Sequence, residues 1–350
     1  MIIDKIENVL RKAEKKTKTL QFEMSLPTDG ISYSYSSTIP NQRIHSASVG
    51  KLMTAALIFI AIDEGHLKME TRVSDILEPG LLDKLFLVNG IDYQKEITIK
   101  HLLGHISGIN DYFESKTFDG SLFTDEVISH TDIFWKPLDL LEYTRNRQKA
   151  VAKPGERFFY SDTGYILLGL IIEKIFNIPF YQALHKYIFE PSDMNETHLC
   201  FYSKGFEQKL LAPLYINGVD VHLFQSLSCD FSGGGLSTTT SDLIKFLDNL
   251  QNGKLFDQML LNQMANFEHR FLRGIYYGYG MMQLRFEDFF FMLGNLPRLQ
   301  GHIGITGAHA WYDPETRASF VLNVGDVKDM ALSFRILIKI MQLVQKSYKT

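Results

Sequence analysis

Strand-like alternation is confined to the two ends of this chain, and that distribution limits the folds open to it. Near the start, residues 20–26 alternate in part and residues 30–36 more clearly, with Pro27-Thr28-Asp29-Gly30 as the turn of a hairpin. Near the end, residues 276–286, 289–293, 308–312 and 318–324 read as strands, and Asp313-Pro314-Glu315-Thr316 is a turn between the last two. Apolar positions 2, 3, 6, 9 and 10 predict an amphipathic helix ahead of the first hairpin, and residues 329–345 predict another after the last strand. The middle is mostly helical with long loops, and residues 165–176 form a strongly apolar, buried helix. The fold class is therefore α/β of the α+β kind, with one antiparallel sheet built from both chain ends and flanked by helices. Residues 1–47 with 270–350 are expected to form the sheet-and-helix domain, and 48–269 an inserted, mostly helical lobe.

Composition removes several function classes. The 350 residues are 45% hydrophobic and 22% charged, an ordinary globular balance, and the net charge is −4. No basic stripe points to nucleic acid, and no polybasic tail points to an anionic membrane. No stretch approaches a membrane span, and charges at Asp4, Lys5 and Glu7 break the N-terminal apolar run, so no signal peptide is visible and a cytoplasmic location is expected. The only cysteines, Cys200 and Cys229, have no metal-ligand spacing; a disulfide framework is not expected, although one bridge is left open. No metal and no cofactor is expected, and no residue pattern bears on oligomeric state.

One short stretch carries chemistry. Ser48-Val49-Gly50-Lys51 opens the apolar run Leu52 to Ile60. A serine three residues before a lysine at a helix start puts both side chains on one face of the first turn. An amine is one of the few groups able to activate a hydroxyl, and a helix N-terminus offers N–H groups to an oxyanion. The plainer alternative is that Ser48 caps the helix. Against that, Lys51 is a cation in a first turn, where acids are preferred, and this is the sole Ser-x-x-Lys in the chain.

Two further segments match it. Tyr160-Ser161-Asp162 lies in a short polar loop ahead of the apolar helix. A tyrosine held there can carry a proton if cationic neighbours depress its pKa, while the plainer alternative makes Ser161 or Asp162 an N-cap and Tyr160 a packing aromatic. Gly301-His302-Ile303-Gly304-Ile305-Thr306-Gly307 surrounds a histidine with small residues at an inner strand, where backbone approaches a ligand closely.

In order and spacing the three segments resemble the serine β-lactamase and penicillin-binding-protein-like hydrolases, specifically the class C β-lactamase and D-Ala-D-Ala carboxypeptidase group. Ile97-Thr98-Ile99-Lys100-His101-Leu102-Leu103-Gly104-His105-Ile106-Ser107-Gly108 is similar to the family's ITIRHLLTHTSG segment. Residues 189–197 resemble its PLGMxxT stretch, and Ser232 to Leu243 its AGGLxSTxxDL stretch, so that the likeness runs from about residue 44 to 325. The resemblance implies a β-lactamase/transpeptidase-like fold with the active site where sheet and lobe meet. It implies Ser48 as nucleophile, Lys51 beneath it, and Tyr160 as general base and then acid. It also implies an oxyanion hole from the N–H groups of Ser48 and Ile305, with His302 and Gly304 lining the strand along which substrate docks.

Two departures steer the reading. Asp162 stands where many members have Asn; an ionised carboxylate only accepts, so it pairs with Lys51 more readily than it donates to a substrate carbonyl. His302 replaces the lysine of true class C enzymes and carries less positive charge at neutral pH. Both favour an esterase or peptidase acting on a small ester, amide or peptide over a β-lactamase or D-Ala-D-Ala carboxypeptidase, while the intact Ser48, Lys51 and Tyr160 argue against a catalytically silent binding protein. Tyr215-Ile216-Asn217 is set aside as a hairpin turn, and His101 and His105 as packing or loop hydrogen-bonding residues. The aromatic run 286–292 is read as a sheet hairpin whose continuation through Arg298 is a candidate overhang of the site.

Overall fold

The computed structural model describes residues 2–347. Helix α1 (Ile2–Glu14) buries Ile6, Leu10 and Ala13, one apolar stripe at helical spacing. Strands β1 (Gln21–Leu26) and β2 (Ile31–Ser36) form the hairpin, closed by a tight turn in which Gly30 takes φ 62°. The chain then leaves the sheet and builds α2 (Lys51–Asp63), α3 (Asp162–Phe176) and α4 (Thr240–Gln251), joined by long loops and shorter helices. It returns as β3 (His269–Leu272), β4 (Ile275–Tyr277), β5 (Met282–Leu284), β6 (Leu299–Gly304), β7 (Ala308–Tyr312) and β8 (Ser319–Asn323), and closes with α5 (Met330–Ser347).

These strands make one eight-stranded sheet in the order β3-β4-β5-β6-β7-β8-β1-β2, with every neighbouring pair antiparallel. The pairing of β8 with β1, in register from Gln21↔Asn323 to Ser25↔Ser319, joins the two chain ends. Side chains alternate across the pleat. Trp311, Phe320 and Leu322 face α1 and α5, which pack on each other, whereas Ala310, Tyr312 and Val321 face the core that holds α2, α3 and α4.

Two expectations about strands change. Residues 276–286 are not one strand; the chain reverses at Gly278–Gly280, with Gly280 at φ 81°, and gives β4 and β5. Residues 289–293 are not a strand either, because Phe286, Leu293 and Leu296 enter the core at intervals of a helical kind and form two short 3₁₀ turns. That segment lies against α5, with the Phe289 and Phe334 rings 5.7 Å apart, and Phe290 and Phe291 stay exposed. The edge strand β3 had no clear alternation to announce it. Both cysteines are buried and free. Among the described residues no single helix is long and apolar enough to cross a membrane.

Candidate active site

Ser48 lies in a 3₁₀ turn, Ala47–Gly50, that runs into α2. The residue at the helix cap is Gly50, and no side chain caps this helix. The capping alternative for Ser48 therefore fails, and its hydroxyl instead accepts a hydrogen bond from Lys51 Nζ at 3.1 Å. Ser48 is half-buried in a turn whose other members are buried.

The turn is held from behind by glycines. Gly234 adopts φ 150°, and a Cβ there would stand 2.1 Å from the Ala47 carbonyl oxygen. A Cβ on Gly50 would meet the Gly234 α-carbon at 2.9 Å. Only bare backbone permits this approach. Ser46 Oγ donates to the Gly234 carbonyl at 2.6 Å across the same seam. From the sheet side, β6 ends at Gly304, where a Cβ would meet Ala47 Cβ at 2.7 Å and Ser48 N at 3.3 Å. The end of β6 thus abuts the serine's backbone.

Lys51 has no exposed surface. An ammonium carries three donors, and this one has three acceptors: Ser48 Oγ, the Gly233 carbonyl at 2.6 Å, and Asp162 Oδ1 in a close ion pair. Asp162 is delivered by α3, whose N-cap is Ser161: its hydroxyl accepts from Gly164 N at 3.3 Å and donates to the Asn110 carbonyl at 2.8 Å. Ser161 thus caps the helix as the plainer alternative for this loop had it, and Asp162 is free to meet Lys51.

Tyr160 brings a buried hydroxyl with no hydrogen-bond partner of good geometry to the Ser48 side of the lysine, and Lys51 Nζ lies 5.1 Å from its ring centroid. The expected depression of its pKa is not found. Burial, then the Asp162 charge, push the phenol well above its usual value, against a smaller opposing effect of the Ser48 hydroxyl. His105 is the platform beneath it, with ring centroids 4.2 Å apart, and its Nδ1 accepts from Ser161 N at 3.0 Å.

His302 was expected on the docking strand. The structure places it on β6 with no exposed surface, its Nε2 3.2 Å from the Tyr277 hydroxyl and its Nδ1 2.8 Å from the Ile303 carbonyl oxygen. Burial, and then the Lys51 charge, push it down to about 3, so the ring is neutral and supplies no positive field. Gly304 is packed on the serine turn and presents no open face.

Ser48 and Ile305 open onto a small cavity of about 30 Å³, which also reaches Glu114, Asp162, Asp230 and Thr306. A broader groove of about 900 Å³ around Tyr181, His185 and Lys186 contains none of these residues. A hydroxyl bonded to a buried lysine, a neutral tyrosine and two backbone segments meeting at a cavity form a constellation suited to acyl transfer.

A family model described as Beta-lactamase matches residues 35–332. The chain belongs to the Beta-lactamase family. It is similar to penicillin-binding protein 4* of Bacillus subtilis (strain 168), 31% identical over 45% of this chain and 31% of that protein. It is also similar to penicillin-binding protein 4 of Amycolatopsis lactamdurans, 30% identical over 43% of this chain and 35% of that one. The chain thus spans about a third of the length of these relatives. Its fold is that of D-amino acid amidase from Ochrobactrum anthropi SV3, solved with L-phenylalanine amide, at TM-score 0.81, 20% identity and 99% coverage of both chains.

Several site residues carried no sequence signal. Gly233 was visible only as part of a glycine-rich stretch, and its carbonyl proves to hold Lys51. Asp111 is buried, and its carboxylate accepts from Asp162 N at 2.8 Å and Glu114 N at 2.6 Å. Burial and the Asp162 charge push Asp111 up to about 8. Asp230 and Glu114 were indistinguishable from ordinary loop acids. Tyr215-Ile216-Asn217 is indeed a hairpin turn, with Asn217 and Gly218 both at positive φ.

Proposed function

We propose that this family member is a serine acyl hydrolase in which Ser48 is the nucleophile. The observation that carries the reading is the line Ser48 Oγ, Lys51 Nζ, Asp162 Oδ1, with the serine end open to a cavity and the other two members buried. As Ser48 Oγ bonds to the substrate carbonyl carbon, its proton passes to Lys51 while Lys51 releases one to Asp162. The N–H groups of Ser48 and Ile305 face the developing oxyanion. Tyr160, held neutral by burial, is assigned as the proton donor to the leaving group, and the phenolate recovers its proton from the Lys51–Asp162 pair. Water then attacks the acyl-Ser48 ester by the reverse sequence and frees the acid.

The substrate class follows from charge. With His302 neutral and Lys51 fully engaged, no free cation stands at the cavity to hold a substrate carboxylate. That favours small esters and amides over β-lactams and D-Ala-D-Ala peptides, both of which carry one. The activity for which the amidase neighbour is named is in keeping with this preference. Intact-mass spectrometry after treatment with a fluorophosphonate tests the reading. One adduct on Ser48, absent in Ser48→Ala, is expected. No adduct would return the chain to the silent-binding-protein alternative, and one placed elsewhere would move the nucleophile from Ser48.

A further inference from the structure

The aromatic run Phe286-Glu287-Asp288-Phe289-Phe290-Phe291-Met292 takes no part in the chemistry at Ser48, and none of its residues lines that cavity. Phe286 and Leu293 enter the core shared with α1 and α5, while Phe289 packs on Phe334 and on the bare backbone of Gly274. Phe290, Phe291 and Met292 are instead 65%, 88% and 73% exposed. The backbone of this tip is held in place. Leu293 N donates to the Phe290 carbonyl at 2.9 Å, and the Arg273 guanidinium donates to the carbonyls of Asp288 at 2.6 Å and Phe289 at 3.2 Å. Next to Arg273, Leu272 at the end of β3 is exposed as well. Single exposed apolar side chains are ordinary, but three consecutive bulky ones on a fixed base mark a surface that meets a partner.

The charges beside the tip say what kind of partner. Helix α5 exposes Arg335, Lys339, Gln342 and Lys346 at intervals of three and four residues, so they share one stripe. Met292 and Leu293 line a cleft together with Gln342 and Lys346, which sets that stripe against the tip. Its cations form no polybasic run in the sequence; only the helix aligns them. Helix α5 carries no acidic residue. The two acids of the tip segment are engaged, Glu287 by Arg298 at 2.7 Å and the Asp288 carboxylate by the Tyr276 hydroxyl at 2.9 Å. An apolar tip thus stands beside a cationic flank.

We propose that Phe290, Phe291 and Met292 form a wedge that seats this protein on an anionic lipid surface, with Arg335, Lys339 and Lys346 at the headgroups. A bilayer complements both halves of the patch. Its hydrocarbon receives a convex apolar tip, and its phosphates meet the cations alongside. A second copy fits less well, because a twofold contact through this face would bring the two cationic stripes together. The net charge of the chain is −4, so general attraction to anions does not drive the contact, and the α5 face is the one that docks. Because no wedge residue lines the Ser48 cavity, docking leaves the serine accessible.

Co-sedimentation of the full chain with sucrose-loaded vesicles tests the proposal. Phosphatidylcholine vesicles containing about 30% phosphatidylglycerol should bind the protein at least about tenfold more tightly than phosphatidylcholine alone. Phe290→Ser with Phe291→Ser, and separately Arg335→Gln with Lys339→Gln, should each weaken that binding by about tenfold or more. Both pairs lie on the surface and should leave the urea midpoint nearly unchanged, which separates lost docking from lost folding. In Phe291→Trp, addition of the anionic vesicles should shift the added tryptophan's emission to the blue, and brominated acyl chains should quench it. No binding to the anionic vesicles overturns the proposal. Binding that the serine pair leaves intact also overturns it, because charge alone would then account for adsorption. A dimer in light scattering that Phe291→Ser dissolves would give this face to a second copy instead.

Discussion

Ser48 and Ser333 are both hydrogen-bonded to a basic side chain, and only one of the two is placed to react. Ser48 accepts from Lys51 at 3.1 Å on the helical-lobe side of the sheet. Ser333, on α5, lies 2.7 Å from His309 Nε2 on the other side, with Trp311 Nε1 donating to His309 Nδ1 at 3.0 Å. By residue type alone the second pair looks the better nucleophile and base. Yet Ser333 and His309 are both buried, and the serine hydroxyl also donates to the Met330 carbonyl at 2.7 Å. Burial pushes His309 down to about 3. The first cluster holds its charge as an ion pair and leaves the serine open to a cavity, whereas the second has no charge and no opening. Access and charge balance, more than the pairing of two residue types, distinguish a reaction centre from a brace between helix and sheet.

The largest expected effect sets the two serines against each other. Ser48→Ala should lower ester hydrolysis by at least about 10⁴-fold, while Ser333→Ala leaves kcat within a factor of two. The reverse outcome in a spectrophotometric ester assay would exchange the roles assigned to them. Next comes Lys51→Ala, which strands Asp162 among Asp111, Glu114 and Asp230. A loss of about 3–5 kcal/mol is expected in urea unfolding, and a loss below 1 kcal/mol would show that Asp162 is not held as the buried partner of a charge.

The pH response should differ in sign between the clusters. Folded His309 titrates near 3, but in the unfolded chain it takes a proton near 6.5. Its contribution to stability is therefore lost as pH falls from about 6.5 toward 3, on the order of 3 kcal/mol by pH 4. Folded Asp111 titrates near 8 against about 3.9 unfolded, so its contribution is present in acid and fades as pH rises toward 8. In urea midpoints measured from pH 4 to 8, His309→Gln should shallow the acid limb and Asp111→Asn the neutral limb. Unchanged limbs would mean that neither group changes its proton affinity on folding. The smallest effect is Ser333→Ala on stability, about 1 kcal/mol by differential scanning calorimetry, the net worth of an ordinary buried hydrogen bond.

What the sequence disclosed depends on how far apart the cooperating residues lie. Ser48 and Lys51 were legible because one helical turn fixes their relation, and Tyr160 because it stands in a short loop against a helix start. The sheet was legible where alternation is clear, as at residues 31–36. It was misread at Phe289 to Leu293, where aromatic content suggests strand but burial at Phe286, Leu293 and Leu296 follows a helical interval. Two acids of the cavity were invisible for another reason. Glu114 and Asp230 come from separate segments, and a lone loop acid has no spacing by which to be recognised. The burial of His302 was hidden too, because a small-residue context reads the same for a ring that faces substrate and one that faces tyrosines.

The β1–β8 pairing has a consequence for the birth of the protein. Asn323 Nδ2 donates to Gln21 Oε1 across 302 residues, so this pairing closes a loop of nearly the whole chain. Long closures cost little more than moderate ones in equilibrium stability but slow the search for the native pairing. During synthesis the first hairpin must wait, its inner edge unpaired, until the last strand has left the ribosome. Gly304, which abuts the serine, lies on that same late-arriving part of the chain. The nascent chain should therefore be catalytically silent until β6 to β8 have been made, and its early hairpin is the segment with most need of a chaperone.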